Sequence, residues 1–336
     1  MANSITLAKA YTNLLDEVYR NASVTNDLIS DNALVRAGAN ANEILYPQIS
    51  VSGLGDYDRN SGYTNGSVSV VWKTATFNYD RGSKISVDSM DDEETFGIAF
   101  GQASSTLMTD KVAPEGDAFT FATLAGIPGI SKAAATTYTD ASEFLAALIA
   151  AKNRMDEDEV PEENRILYAT PTLINGVMGL DTTKSREVLA TFQAVRKVPQ
   201  SRFYTAIDLL DGKSPGEDAG HYRKGTASYK ASTDTTVTAG KTYYTKSGDT
   251  YSAVSSPTGN PSTSSYYEKV TEEGKNINFM IVHKPALIKW DKHVTSSIIP
   301  PDANPNSDAY IVKYRKYGIV DVLRNKVAGI YLSHKA

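Results

Sequence analysis

Val68-Ser-Val-Val-Trp-Lys-Thr-Ala-Thr-Phe-Asn-Tyr79, with a glycine-rich stretch before it and the acidic junction Val87-Asp-Ser-Met-Asp-Asp-Glu-Glu-Thr95 after it, decides how this chain folds. β-Branched and aromatic residues at near period-two alternation predict strands over Val68–Trp72 and Lys73–Tyr79. Turn residues bracket them: Asp56, Asn60, Gly62, Asn65 and Gly66 before, Asp80-Arg81-Gly82 after, and Lys84-Ile-Ser-Val-Asp88 is extended again. Val68, Val70 and Trp72 point one way and Val71, Phe77 and Tyr79 the other, so both faces carry bulk. An isolated hairpin is marginal in water. A long one over Gly53–Val87 therefore needs other surfaces to lie on, in its own domain or in neighbouring subunits.

Within the acidic junction Ser89 or Asp91 is read as a helix cap, with Asp92, Glu93 and Glu94 in the first turn against the positive end of the dipole. Phe96, Phe100, Ala103, Leu107 and Val112 then form one apolar stripe on a helix of about five turns. Pro114 and Gly116 are expected to kink or interrupt it. Phe121, Leu124 and Ala125 resume the stripe before Gly126-Ile-Pro-Gly129 ends it.

The chain has 336 residues, 41% of them hydrophobic, enough for about two domains with a sizeable core. A formal net charge of −5 argues against a protein that grips nucleic acid through a basic surface, because that mode needs clustered Lys and Arg to release counterions. Zero cysteines exclude disulfides, thiolate metal sites and cysteine nucleophiles. Met1–Lys9 lacks the apolar core of a signal peptide, and no run approaches the ~18 apolar residues of a membrane span, so a cytoplasmic origin is expected.

Leu7, Tyr11, Leu14, Leu15 and Val18 predict an amphipathic N-terminal helix capped by Ser4 or Thr6, followed by a polar, irregular stretch from Ser23 to Asn42. Such a helix cannot fold alone and must dock on its own subunit or on a neighbour. Glu43–Val51 reads as extended. After Gly126 helices and strands alternate in an α/β layer arrangement. Asp140-Ala-Ser-Glu143 is a capping box ahead of Phe144, Leu145, Leu148 and Ile149. The acidic run Asp156–Glu159 should be solvated, Arg165–Ala169 is a buried strand, and Thr170-Pro171 opens a helix through Leu173, Ile174 and Met178. Val188, Phe192 and Val195 suggest a further helical piece, and Arg202–Asp208 a further strand.

Between Thr226 and Thr271 the composition changes abruptly: twenty of forty-six residues are Ser or Thr, and six are Tyr. Thr242–Thr245, the turn Ser247-Gly-Asp249, Tyr251–Val254 and Ser265–Glu268 spell a small β module inserted in a loop, entered and left at Gly225 and Gly274. A disordered loop would leave the tyrosines without a purpose. Asn276–His283 resumes the trunk as a buried strand, Lys284–Trp290 follows it, and Pro300-Pro301 and Pro305 mark a crossing. Ala309–Leu323 is the longest extended run, and Val327–Tyr331 is expected to return on it as a hairpin.

Four histidines are too scattered for a metal motif, and His283 and His293 read as structural. The glycine-rich nucleotide-binding patterns and the serine-hydrolase elbow are missing. Helix capping explains Asp91–Glu94 without a divalent cation. No catalytic, cofactor-binding or metal residue is assigned, no cofactor is expected, and the chain reads as a non-enzyme.

Gly53-Leu-Gly-Asp-Tyr-Asp-Arg-Asn-Ser-Gly-Tyr63, Tyr79-Asp-Arg-Gly82, Val87-Asp-Ser-Met-Asp-Asp-Glu-Glu94 and Pro114-Glu-Gly-Asp-Ala-Phe119 resemble the signature runs of tailed-bacteriophage major capsid proteins; Asn276–Lys292 and Ala309–Leu332 resemble that family's C-terminal pattern. Gly116 and Thr120 stand where the family usually has larger or charged residues. The resemblance implies an α+β, Hong Kong 97-like phage capsid fold. Its parts would be an N-terminal arm (1–45), an extended β-hairpin loop (46–90), a peripheral domain with a spine helix (91–126 and 300–336), an α/β axial domain (127–224 and 272–299) and the inserted β module (225–271).

The function implied is that of a structural protein, self-assembling into hexamers and pentamers of an icosahedral shell around phage double-stranded DNA, located in the virion and assembled in the host bacterial cytoplasm. Partners implied are further copies of itself, a portal, a separate scaffolding protein because the chain starts almost in the arm, and packaged DNA bound non-specifically. The insertion would meet a decoration protein or a surface glycan, and no membrane is involved. Some members of that family cross-link Lys to Asn between subunits; Lys73 or Lys84 with Asn325 would be the candidates here. A competing reading, an α/β enzyme with an appended β carbohydrate-binding module, accounts for 127–224 and the insertion but leaves Gly53–Val87 without a role.

Overall fold

A computed structural model describes residues 22–30, 36–37, 42–60, 62–94, 105–180, 182–213, 221–239, 241–248, 250–263 and 265–336. The expected N-terminal helix with Leu7, Tyr11, Leu14, Leu15 and Val18, and Phe96, Phe100 and Ala103 of the helical stripe, lie outside the described residues.

Strands β1 (Arg36–Ala37), β2 (Glu43–Val51) and β3 (Val68–Thr76) form one antiparallel sheet in that order. β2 and β3 pair without interruption from Glu43↔Thr76 to Val51↔Val68. The hairpin is therefore built from Glu43–Val51 and Val68–Thr76, and not over Gly53–Val87 as the turn residues suggested. The chain departs at Phe77-Asn78: Phe77 N donates to Asn42 O at 3.0 Å, and the Asn78 amide bonds both the N–H and the C=O of Val320. Those bonds divert β4 (Tyr79–Asp88) into another sheet.

β4 runs into helix α1 (Ser89–Glu94), capped by Asp88 and not by Ser89 or Asp91: Met90 N donates to Asp88 Oδ1 at 3.0 Å. Ser89 is unavailable as a cap because its N–H and its hydroxyl both donate to Asp308 O. Downstream, a π-helical stretch Leu107–Val112 continues directly into α2 (Ala113–Gly126), so Pro114 and Gly116 do not interrupt the helix. Proline lacks the N–H for the helical ladder and its ring crowds the preceding turn; a widened turn just before it relieves both problems. Phe121, Leu124 and Ala125 are buried, as the stripe predicts, and Ala118 is buried with them.

An α/β unit follows: β5 (Ser131–Lys132), α3 (Ala141–Glu157), β6 (Arg165–Ala169), α4 (Pro171–Gly179), α5 (Thr183–Ala190) and β7 (Ala194–Lys197). Asp140 is at the N-cap of α3, but the box closes one residue early, with Glu143 accepting from Thr139 N at 3.1 Å. The acidic run is only partly solvated, since Asp156 pairs with the buried Arg165 at 2.7 Å and Asp158 with Arg154 at 3.1 Å. The piece expected around Val188 is helix α5, yet Val195 falls in β7. Arg202–Asp208 is not one strand: a 3-10 turn at Gln200–Arg202 drops Phe203 into the core, and β8 (Ile207–Leu209) pairs with β9 (Tyr222–Lys224).

β10 (Ser228–Ala231), β11 (Tyr244–Ser247), β12 (Thr250–Ala253) and β13 (Tyr267–Thr271) make a separate four-stranded sheet in the order β10-β13-β11-β12. The two ends of the module touch. Gly274 N donates to Gly225 O and Gly225 N to Ala206 O, both at 2.9 Å, and a Cβ on Gly274 would stand 2.4 Å from Ala206 O. Glycine is required at that exit by the closeness of the backbones.

β14 (Ile277–His283) is buried throughout; β15 (Leu287–Ile299) and β16 (Ala309–Val322) are the longest strands, and β17 (Ile330–His334) ends the fold. Two sheets organise the body, β5-β17-β14-β6-β7 and β15-β16-β4. β16 and β17 do not form the expected hairpin; a 3-10 turn at Val327–Gly329 hands β17 to the five-stranded sheet, where Ile330 and Leu332 are buried. Likewise Leu287–Ile299 pairs with β16 in the three-stranded sheet and not with the strands of the α/β unit. The five-stranded sheet is a middle layer. Tyr168, Met280, Val282 and Leu332 meet Phe121 and Leu124 of α2 on one face, while Leu167, Phe279 and Ile281 meet Phe144, Leu148 and Ile174 of the α/β helices on the other.

Candidate assembly surface

The hairpin uses its two faces differently along its length. Directly paired residues of antiparallel strands share a face, so Ile44/Ala75 and Tyr46/Lys73 lie on one side and Pro47/Trp72, Ile49/Val70 and Val51/Val68 on the other. At the root, Ile44, Tyr46 and Ala75 are buried against Ile288 and Ile319, beside Phe77, Trp290 and Leu323. Farther out the opposite face is apolar and exposed: Ile49 by 61%, Val51 by 66%, Val68 by 68% and Val70 by 53%. Gln48, Ser50 and Ser69 share the remaining outer face with Val71, so the distal hairpin is amphipathic. The two-faced bulk read from the sequence resolves accordingly. Phe77 and Tyr79 belong to the body, Phe77 stacking on Tyr317 at 4.7 Å.

Charged anchors hold β4, the strand that leaves the hairpin root. Arg81 of β4 donates from Nε to Glu115 Oε1 at 2.7 Å and from a terminal nitrogen to Oε2 at 3.2 Å; Tyr79 Oη adds a bond to Oε1, and Arg81 also reaches Leu210 O. Glu115 is buried and Arg81 half-buried, and the carboxylate holds the guanidinium in its charged form. On the solvent side Arg315 clamps Asp80 with two bonds of 2.9 and 2.7 Å, which keeps the Asp80 carboxyl below its ordinary range.

A second polar cluster fixes the segment that leads in from the N-terminus. Asp117, fully buried in α2, accepts from Ser23 Oγ, Val24 N, Thr25 N and Thr25 Oγ1 at 2.7–3.1 Å, and from Arg202 at 3.1 Å. Lys289 of β15 donates to Thr25 O and Oγ1 at 2.9 and 2.6 Å. Burial, helped by the neighbouring Lys316 ammonium, brings its pKa down to about 8. Sequence reasoning missed Asp117 and Lys289; the only signal was that Asp117 falls on the apolar side of the helical stripe.

In the β module, Ser232, Asp234, Lys241, Tyr243 and Glu268 form the inner network: Lys241 bridges Asp234 at 2.7 Å and Glu268 at 3.0 Å, and Tyr243 Oη donates to Asp234 at 2.6 Å. The pairings Tyr229↔Lys269, Ala231↔Tyr267, Tyr244↔Ala253 and Lys246↔Tyr251 put one tyrosine from each strand on the opposite face. These rings are half-buried by one another, Tyr229 stacked on Tyr251 at 4.0 Å, and Lys246 lies over Tyr251.

Among the described residues no group of three or more His, Asp or Glu is placed to hold a metal, and no helix is long and apolar enough to cross a membrane. His283 is buried in β14, and His293 faces Thr295 on β15. Lys73 stands across from Tyr46, Lys84 across from Lys313, and Asn325 follows β16, on three separate elements.

No family profile matches the chain, and no curated protein does. Among solved structures, the chain is similar to the capsid of the cyanophage P-SCSP1u at 14% identity and a TM-score of 0.49, covering 94% of this chain and 88% of that one. The mature capsid of bacteriophage PhiM1 aligns at 12% identity and 0.48, over 88% and 82% of the two chains. A virus-like particle from Pyrococcus furiosus aligns at 8% identity and 0.46, over 94% and 98%. At such distances a shared outline does not transfer a role.

Proposed function

We propose that this chain is the major capsid protein of a tailed bacteriophage, a structural protein whose copies build the hexamers and pentamers of an icosahedral shell enclosing double-stranded DNA. The observation that carries the reading is the hairpin: its root is seated on the body by one face, while its distal half offers the other face as a row of exposed valine and isoleucine. Fully burying each such side chain stabilises by about 1.5–3 kcal/mol. A neighbouring copy supplies the surface that this chain lacks, which the competing enzyme reading leaves unexplained.

In this reading α2 with the β15-β16-β4 sheet is the peripheral part, the five-stranded sheet with its helices is the axial part, and the N-terminal segment, tethered by Asp117 and Lys289, is an arm toward another subunit. The β module projects from the axial part, where its tyrosine and lysine face suits a surface glycan. A portal, a separate scaffolding protein and non-specifically held DNA complete the particle in the virion, after assembly in the host bacterial cytoplasm. Electron microscopy of the purified protein tests the reading: shells, capsomers or tubes are expected, and small monodisperse particles under all assembly conditions would overturn it.

A further inference from the structure

Asn65-Gly66 lies just beyond the last closed rung of the hairpin, where Ser52 N donates to Ser67 O at 2.9 Å and Ser67 N to Ser52 Oγ at 2.8 Å. Both residues are exposed and outside regular structure, and the Gly66 N–H makes no hydrogen bond among the described residues. Gly66 does not use the left-handed backbone that would demand glycine, and a Cβ there would meet only the Ser52 hydroxyl, at 3.0 Å. The chain holds an internal control. Asn175-Gly176 is the same dipeptide inside helix α4, where the backbone is helical and Asn175 Oδ1 accepts from Lys197 Nζ at 2.6 Å.

We propose that Asn65 is a self-modification site that converts to aspartate and isoaspartate through a succinimide, with Gly66 supplying the nucleophile. The Gly66 amide nitrogen, having lost its proton to solvent base, attacks Asn65 Cγ. A new N–Cγ bond forms, the Cγ–Nδ2 bond breaks, and the side-chain Nδ2 leaves as ammonia after taking one proton from water. Water then adds to one of the two imide carbonyls. Opening at Cγ gives an aspartate; opening at the main-chain carbonyl gives an isoaspartate whose backbone runs through Cβ. No oxidant or reductant is involved. A backbone hydrogen bond or a side chain on the following residue hinders the attack, and the Gly66 position has neither. In Asn175-Gly176 the helical backbone holds the next amide away from the side-chain carbonyl.

The outcome is a new carboxylate, and in part a lengthened backbone, at the tip of the hairpin. The test is incubation of the full-length protein at neutral and mildly alkaline pH with peptide mapping by mass spectrometry. Conversion of amide to acid should accumulate at Asn65 as two separable products, faster at the higher pH, with Asn175 unchanged, and Gly66→Ala should slow it severalfold. An Asn65 as long-lived as Asn175, or an unchanged rate in Gly66→Ala, would overturn the proposal. The measurement follows the chemistry of the chain and is independent of whether shells form.

Discussion

Single residues fix the junction between helix α2 and the sheets, and two of them make quantitative predictions. Glu115 neutralises Arg81 in a largely buried setting, so Glu115→Ala removes both carboxylate bonds and leaves the guanidinium its bond to the Leu210 carbonyl and the weaker attraction of Asp211. Removing one partner of such a pair costs about 3 kcal/mol, whereas exposed pairs are worth about 1 or less. Denaturant unfolding should show the larger loss; a loss in the surface range would mean that solvent already screens the pair. Lys289 predicts a pH dependence. Its folded pKa of about 8 lies below the unfolded 10.5, so the folded state binds fewer protons between those values and gains stability as pH rises. The cost of burying the ammonium is present in full below about 8 and fades above it. Wild type should therefore gain stability relative to Lys289→Met between 8 and the onset of tyrosine ionisation in the unfolded chain near 10.0. Parallel stability curves would refute the assignment, whatever the variant's absolute stability.

At the scale of elements, the hairpin separates into a root packed on the body and a distal half whose apolar face is exposed, the face that the proposed function gives to a neighbouring copy. Tyr46 and Lys73 are register partners, so a two-residue Asn-Gly turn can join them in place of 47–72. That truncation keeps Ile44, Tyr46, Ala75 and Phe77 in their cluster. The shortened protein should melt close to wild type yet fail to form shells. Normal shells from it would remove the hairpin from the assembly mechanism, and loss of folding would show that the distal half also supports the body.

For the whole molecule, the inserted module is thermodynamically separable because its entry and exit strands already touch at Gly225 and Gly274. Loop-closure cost changes little with insert length when the ends are held together. Replacing Thr226–Thr271 with a short Gly-Ser linker should leave folding and shell diameter unchanged and remove external knobs, as read by electron microscopy. Protein that misfolds or stays unassembled would instead place the module in the trunk or in an essential contact.

Local chemistry made much of this legible in advance. Alternation marked Val68–Tyr79 as extended, apolar runs marked Arg165–Ala169, Asn276–His283 and Ala309–Leu323, Thr170-Pro171 opened its helix, and Ser/Thr richness with tyrosine outlined the β module. Each depends on neighbours within a few residues, which a sequence records directly. Pairing partners do not have that property. That Glu43–Val51 completes the hairpin, that Asn78 turns β4 toward β16, and that β17 leaves β16 for β14 were set by hydrogen bonds and burial between segments far apart in the chain. Asp117 and Lys289 were missed for the same reason: a charge is tolerated in the core only when distant groups such as Ser23, Thr25 and Arg202 converge on it. Sequence alone determined most of the extended, helical and grafted segments, Arg202–Asp208 and the piece ending at Val195 being exceptions. Tertiary structure decided which of them meet, because a strand's partner is chosen by competition among all the apolar faces and free backbone groups of the chain.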